Sequence, residues 1–94
     1  MIREHIQSIP LGYSEAEFKG KKYGVTRTDF NKGRSIKIYA RELGGKDVVS
    51  LNYYMTGKKD SLKPCEMPAE KVIEFLTQHK TIDYGVRKFR KYAL

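Results

Sequence analysis

The chain has 94 residues, a formal net charge of +8, 39% apolar and 12% aromatic side chains. That length holds one domain with one core, and the apolar content suffices to build it, so the 32% of charged residues describe a solvated surface and not disorder. A single cysteine, Cys65, excludes an internal disulfide framework, and no apolar run nears the roughly 20 residues of a transmembrane helix. Met1 to Pro10 lacks the apolar centre of a signal peptide, which makes the cytoplasm the default compartment.

Taken in chain order, Ser8 to Tyr13 contains Pro10 and Gly12 and reads as a lead-in or short edge segment. Glu15 to Lys19 is a short strand that pairs across Gly20 and Lys21 with a second strand, Lys22 to Phe30, rich in Tyr, Val and Thr. Asn31, Lys32, Gly33 and Arg34 form the next turn. Ser35 to Glu42 then alternates, with Ile36, Ile38 and Ala40 opposite Lys37, Tyr39 and Arg41, as a half-buried strand must. Asp47 to Thr56 repeats the pattern, setting Val49, Leu51, Tyr53 and Met55 against Val48, Ser50, Asn52 and Tyr54. Leu43 to Lys46 joins these two strands, and its Gly44, Gly45 pair supplies the positive φ of a tight hairpin. Gly57 to Asp60 is a polar loop.

The period then changes. Ala69, Val72, Ile73, Phe75 and Leu76 have helical spacing, Pro68 suits a first helical position, and Glu70, His79 and Lys80 complement the helix dipole, which predicts a helix over 68–79. The predicted fold is α+β: a four-stranded antiparallel β-meander followed by one helix packed on one sheet face, β-β-β-β-α, in a single domain over residues 1–83. Residues 84–94 form a separate basic segment. Ile82, just before it, and Val86, Phe89 and Ala93 have the spacing of a short second helix, against which Gly85 counts.

Function is read from where the charge lies. Between Lys19 and Lys46 there are nine Lys or Arg against Asp29 and Glu42, and the tail adds Arg87, Lys88, Arg90 and Lys91 with no acid. Such a surface attracts polyanions, nucleic acid before anionic membrane. If the helix covers Ile36, Ile38, Val49 and Leu51, the opposite face shows Lys37, Tyr39, Arg41, Ser50, Asn52 and Tyr54. The second strand adds either Lys22, Thr26 and Thr28 or Tyr23 and Arg27. Cations interleaved with rings suit single-stranded DNA or RNA, since ammonium and guanidinium groups track phosphates while bases stack on tyrosines. The expected contacts are Lys22, Arg27, Arg34, Lys37, Tyr39, Arg41, Asn52, Tyr54, Arg87 and Lys88. The competing reading is that these charges only keep a sheet soluble and guard its edges. An uncovered edge in so small a domain also points to a homodimer.

No catalytic constellation emerges. Cys65 stands just ahead of the predicted helix, where a thiol can be activated, but it has no resolving cysteine and Glu66 adjoins it. His5 and His79 have no metal-ligand spacing with each other or with Cys65, so no metal and no cofactor are expected. Gly44, Gly45, Lys46 lacks the spacing of a phosphate-binding loop.

Two resemblances add to this. The order of meander, proline-started helix and basic Val86, Arg87, Lys88, Phe89, carried by Ser35 to Arg41, Lys63 and Pro64, resembles the single-stranded DNA binding module of transcriptional positive cofactor four over roughly residues 22–90. That likeness implies a curved four-stranded sheet backed by a helix, a dimer, and a strand held by basic and aromatic sheet residues. Separately, Gly12 to Glu15, Lys22 to Gly24, Leu51 to Tyr54 and Lys63 to Pro68 resemble a group of short uncharacterised bacterial proteins, some described as peptide methionine sulfoxide reductases. This implies the alternative function, a small thiol enzyme using Cys65, although the chain has neither the Gly-Cys-Phe-Trp signature of one reductase class nor the paired zinc cysteines of the other. A protein-interaction module is the third reading.

Overall fold

The computed structural model describes residues 2–84. In chain order the elements are α1 (Ile2–Gln7), β1 (Gly12–Phe18), β2 (Lys21–Phe30), a 3-10 turn (Asn31–Gly33), β3 (Ser35–Glu42), β4 (Val48–Met55), β5 (Asp60–Pro64), α2 (Ala69–Gln78) and β6 (Lys80–Thr81). The strands form one antiparallel sheet in the order β5-β4-β3-β2-β1-β6. The α+β class and the meander through β4 hold as predicted. The four-strand count does not: β5 pairs with the outer side of β4 from Asp60 to Pro64, and β6 adds a two-residue rung beside Ala16 and Glu17. These two strands owe their conformation to backbone pairing with an existing edge and not to an alternating pattern of their own.

A single helix was also too few. α1 precedes the sheet, and its signal is the spacing of Ile2, Ile6 and Ile9, of which Ile6 and Ile9 are fully buried. β1 begins at Gly12, not Glu15, so the lead-in residues Gly12 and Tyr13 already belong to the sheet. Pro68 caps α2 from the extended region instead of occupying its first turn. The C-terminal end of α2 is closed by His79, whose backbone N–H donates to the Phe75 carbonyl at 2.9 Å and whose Nδ1 lies 2.8 Å from the same oxygen. The proposed helix beyond residue 84 lies outside the described residues.

The connections follow local backbone demands. Lys19 and Gly20, both at positive φ, make the two-residue turn from β1 to β2, a geometry that matches the twist of the flanking strands. In the β3–β4 turn only Gly44 has positive φ, at 81°, and the turn is closed by the Glu42 N–H donating to the Asp47 carbonyl at 2.9 Å.

Both helices lie on the same sheet face. The core joins Ile6 and Ile9, the α2 stripe Val72, Phe75 and Leu76, and the inward residues Ala16, Phe18, Tyr23, Val25, Ile36, Ile38, Ala40, Val49, Leu51 and Tyr53. Phe75 sits at its centre, edge-on to Phe18 (5.1 Å) and Tyr23 (5.4 Å) and stacked on His79 (5.0 Å). At the rim of this layer the polar ends of the core tyrosines are satisfied. The Tyr23 hydroxyl donates to Asp47 at 2.7 Å, and that carboxylate also accepts from Lys71. Tyr53 donates to Asp60, whose two oxygens are gripped by Arg3 at 2.7 and 2.8 Å, tying α1 to β5. Burial and the neighbouring Asp60 push the Tyr53 phenol up to about 12.

Candidate nucleic-acid interface

The register fixes what the other face shows. Directly paired residues on antiparallel neighbours share a face, so the rows can be read across the strands. One row runs Lys63, Asn52, Lys37, Thr28; the next Ser50, Tyr39, Thr26, Tyr13; a third Val48, Arg41, Gly24, Glu15. A fourth, at the end near the β2–β3 turn, runs Ser61, Tyr54, Ser35, Phe30. Neither helix lies over these rows. Tyr13 (62% exposed), Phe30 (49%) and Tyr39 (41%) leave large rings in solvent there.

The two faces differ in charge pairing as much as in burial. Asp29, Glu42, Asp47 and Asp60 all stand on the helix side or its rim, and each holds a cation: Arg27, Lys21, Lys71 and Arg3 in that order. Lys32, Arg34, Lys37, Arg41 and Lys63 make no ion pair among the described residues. Lys37, Arg41 and Lys63 stand on the open face, and Lys32 and Arg34 stand at its end beside Tyr54. This separation is what leaves the open face with unneutralised cations.

The open face is itself polarised. Its acids, Glu15 and Glu17, are confined to β1. Glu15 accepts from the hydroxyls of Tyr13 (3.1 Å) and Tyr84, and the Tyr84 bond leads in holding its carboxyl below the ordinary value. The phenol end of Tyr13 lies close over Gly24, where a Cβ would come within 2.8 Å of the phenol oxygen, so a bare backbone at that position is what admits it.

The structure therefore gathers Lys37, Tyr39, Arg41, Asn52 and Tyr54 on one exposed surface, with Arg34 at its end. Lys22 shares the face but stands at its acidic margin, its ammonium 5.5 Å from the Tyr84 ring. Arg27 is on the helix side. Its guanidinium chelates Asp29 at 2.9 and 3.0 Å and donates to the carbonyls of Gln7 (3.2 Å) and Ile9 (2.7 Å), a fastening for the α1–β1 connection instead of an outward contact. Arg87 and Lys88 lie outside the described residues. Sequence reasoning missed Lys63, which reaches this face only because β5 adds to β4, and Lys32, Phe30 and Tyr13, which stand on the strand ends and turn around it.

Cys65 extends β5 by one residue, its N–H donating to the Ser50 carbonyl at 3.0 Å, and its sulfur receives a hydrogen bond from Asn52 Nδ2 at 3.7 Å. No group of three metal-ligating side chains occurs among the described residues, and no helix there is long and apolar enough to cross a membrane. No family model, no curated protein and no solved structure matches the chain.

Proposed function

We propose that the protein is a non-catalytic binding module for single-stranded nucleic acid, and that the strand lies across β3, β4 and β5 on the face opposite the helices. The observation that supports this reading is the sorting of charge: the acids of the central strands are neutralised on the helix side, while Lys37, Arg41 and Lys63 stand without an ion pair among the described residues beside the Tyr39 and Tyr54 rings. Salt bridges spread over both faces would be the signature of a sheet that is merely solvated. A polyanion with flat, unstacked bases satisfies both features at once, with phosphates on the ammonium and guanidinium groups and bases on the phenol rings. Duplex DNA fits less well, because stacked and paired bases offer no free faces to those rings. The carboxylates of β1 repel the backbone at the far side and bias the track toward β3 to β5.

The deciding experiment is fluorescence anisotropy of a labelled single-stranded oligonucleotide at low salt. Saturable binding that weakens as salt rises supports the reading, and no binding at low salt refutes it.

A further inference from the structure

A groove of about 580 Å³ opens beside the fourth row of the open face, between the β2–β3 turn and the end of β4. Lys32, Arg34, Asn31 and Ser35 line one side, and Tyr54 and Met55 the other. Its volume falls within the roughly 300–1,000 Å³ of small-molecule sites. Its chemistry is two-part: two cations with no ion pair among the described residues, and a ring with an adjoining thioether. No carboxylate lines it among the described residues.

The walls are held in place. Asn31, Lys32 and Gly33 all have positive φ (54°, 58° and 87°), a rarely populated backbone for the two side-chain-bearing residues. The Arg34 N–H closes the turn onto the Asn31 carbonyl at 3.1 Å, and the Arg34 carbonyl accepts from the Met55 N–H at 2.8 Å, joining one wall to the other. Asn31 Nδ2 donates to Ser35 Oγ at 2.9 Å, which fixes the side-chain amide and leaves its Oδ1 as an acceptor for a ligand's polar edge. The wall backbone is thus set before binding, and the ordering left to be done is that of the exposed Lys32 and Arg34 side chains.

We infer that this groove is a nucleotide subsite, taking one phosphorylated nucleoside with its phosphate on Lys32 and Arg34 and its base on Tyr54. The inference rests on the single-strand reading of the adjoining face and specifies one end of the track. The same chemistry is offered by a nucleotide unit within a strand and by a free mononucleotide. A bare anion would engage the cations but make no use of the Tyr54 and Met55 wall.

The test follows backbone amide resonances of the whole protein during titration with adenosine monophosphate, with inorganic phosphate and with a short single-stranded oligoadenylate. The expected result is that the oligonucleotide moves Lys32, Arg34, Ser35 and Tyr54 together with Lys37 and Tyr39. Adenosine monophosphate moving the groove set by itself makes free nucleotide a second source, and its failure to do so assigns the groove to strand-borne units. The double substitution Lys32→Asn, Arg34→Gln should weaken oligonucleotide binding at least about tenfold with the spectrum otherwise retained; Asn tolerates the left-handed backbone at position 32. Inorganic phosphate acting as strongly as the nucleotide overturns the inference. Movement confined to Lys37, Tyr39 and Lys63 also overturns it, while leaving the face reading intact. An oligonucleotide that moves none of these resonances removes both.

Discussion

The salt dependence of binding can be worked out from the unpaired cations. Lys32, Arg34, Lys37, Arg41 and Lys63 are the cations on or at the end of the proposed track, and none has an ion pair among the described residues; Lys22 and Lys80 also lack one but stand at the β1–β6 margin beside Glu17. With a contribution of about 0.7 per phosphate contact for single strands, five contacts give a slope of log affinity against log salt of roughly −3.5. Affinity then falls by about two powers of ten between 50 and 200 mM salt, on the same estimate. Replacing Lys37 and Lys63 by Gln removes two contacts, which lowers the slope to roughly −2.1 and the fall over that range to about twentyfold. Lys19→Gln is the control: Lys19 already pairs with Glu74 at 3.1 Å, away from the open face, and should leave the slope unchanged. Anisotropy titrations at several salt concentrations read all three proteins. A control slope shifted half as far from wild type as the double variant's, in proportion to the one charge removed against two, would show that binding follows net charge and not this face, and a wild-type slope near zero would refute phosphate contact altogether.

Tyr39→Ala should weaken oligonucleotide binding by roughly 1–3 kcal/mol through lost base stacking. Because the ring is 41% exposed, the same change should cost no more than about 1 kcal/mol of unfolding free energy in urea. Phe75→Ala should act the other way round, costing about 3–5 kcal/mol in urea denaturation because it empties the ring cluster formed with Phe18, Tyr23 and His79. A loss under about 1 kcal/mol would show that the core does not centre on this residue. Acid should release α1: Arg3 first, and then Tyr53, hold the Asp60 carboxyl at about 2 against an ordinary 3.8. A depressed carboxyl stabilises the folded state fully above its unfolded value and ceases to do so as pH falls toward 2, so the protection of α1 amides, taken relative to their intrinsic exchange rate at each pH, should fall between about pH 4 and 2. Asp60→Asn should abolish that pH dependence, and its persistence would place the titrating group elsewhere.

How much was legible differs by element. β3, β4 and α2 were read nearly to their ends, because one face of each is buried and burial imprints a period on the sequence: two residues in Ser35–Glu42, and the three-and-four spacing of Val72, Phe75 and Leu76. β5 carries no such imprint. Leu62 is its one large apolar residue and is only half-buried, since an edge strand needs backbone partners more than a packed face. Lys63 joined the candidate site through that pairing and through nothing visible in Asp60–Pro64 itself.

β2 shows the same limit at single-residue scale. Alternation within Lys21–Phe30 separates Lys22, Thr26 and Thr28 from Tyr23 and Arg27, but it does not say which set meets the helices. Pairing of Val25 with Ala40 decided it, burying Tyr23 and turning Arg27 toward the carbonyls of Gln7 and Ile9. Composition and periodicity by themselves determined an α+β domain of high positive charge with alternating strands and an amphipathic helix, because those properties come from each segment meeting water on one side. Which cations share a surface, and which are neutralised by acids brought from distant parts of the chain, was decided only by strand register and helix placement, because both depend on contacts between residues far apart in sequence.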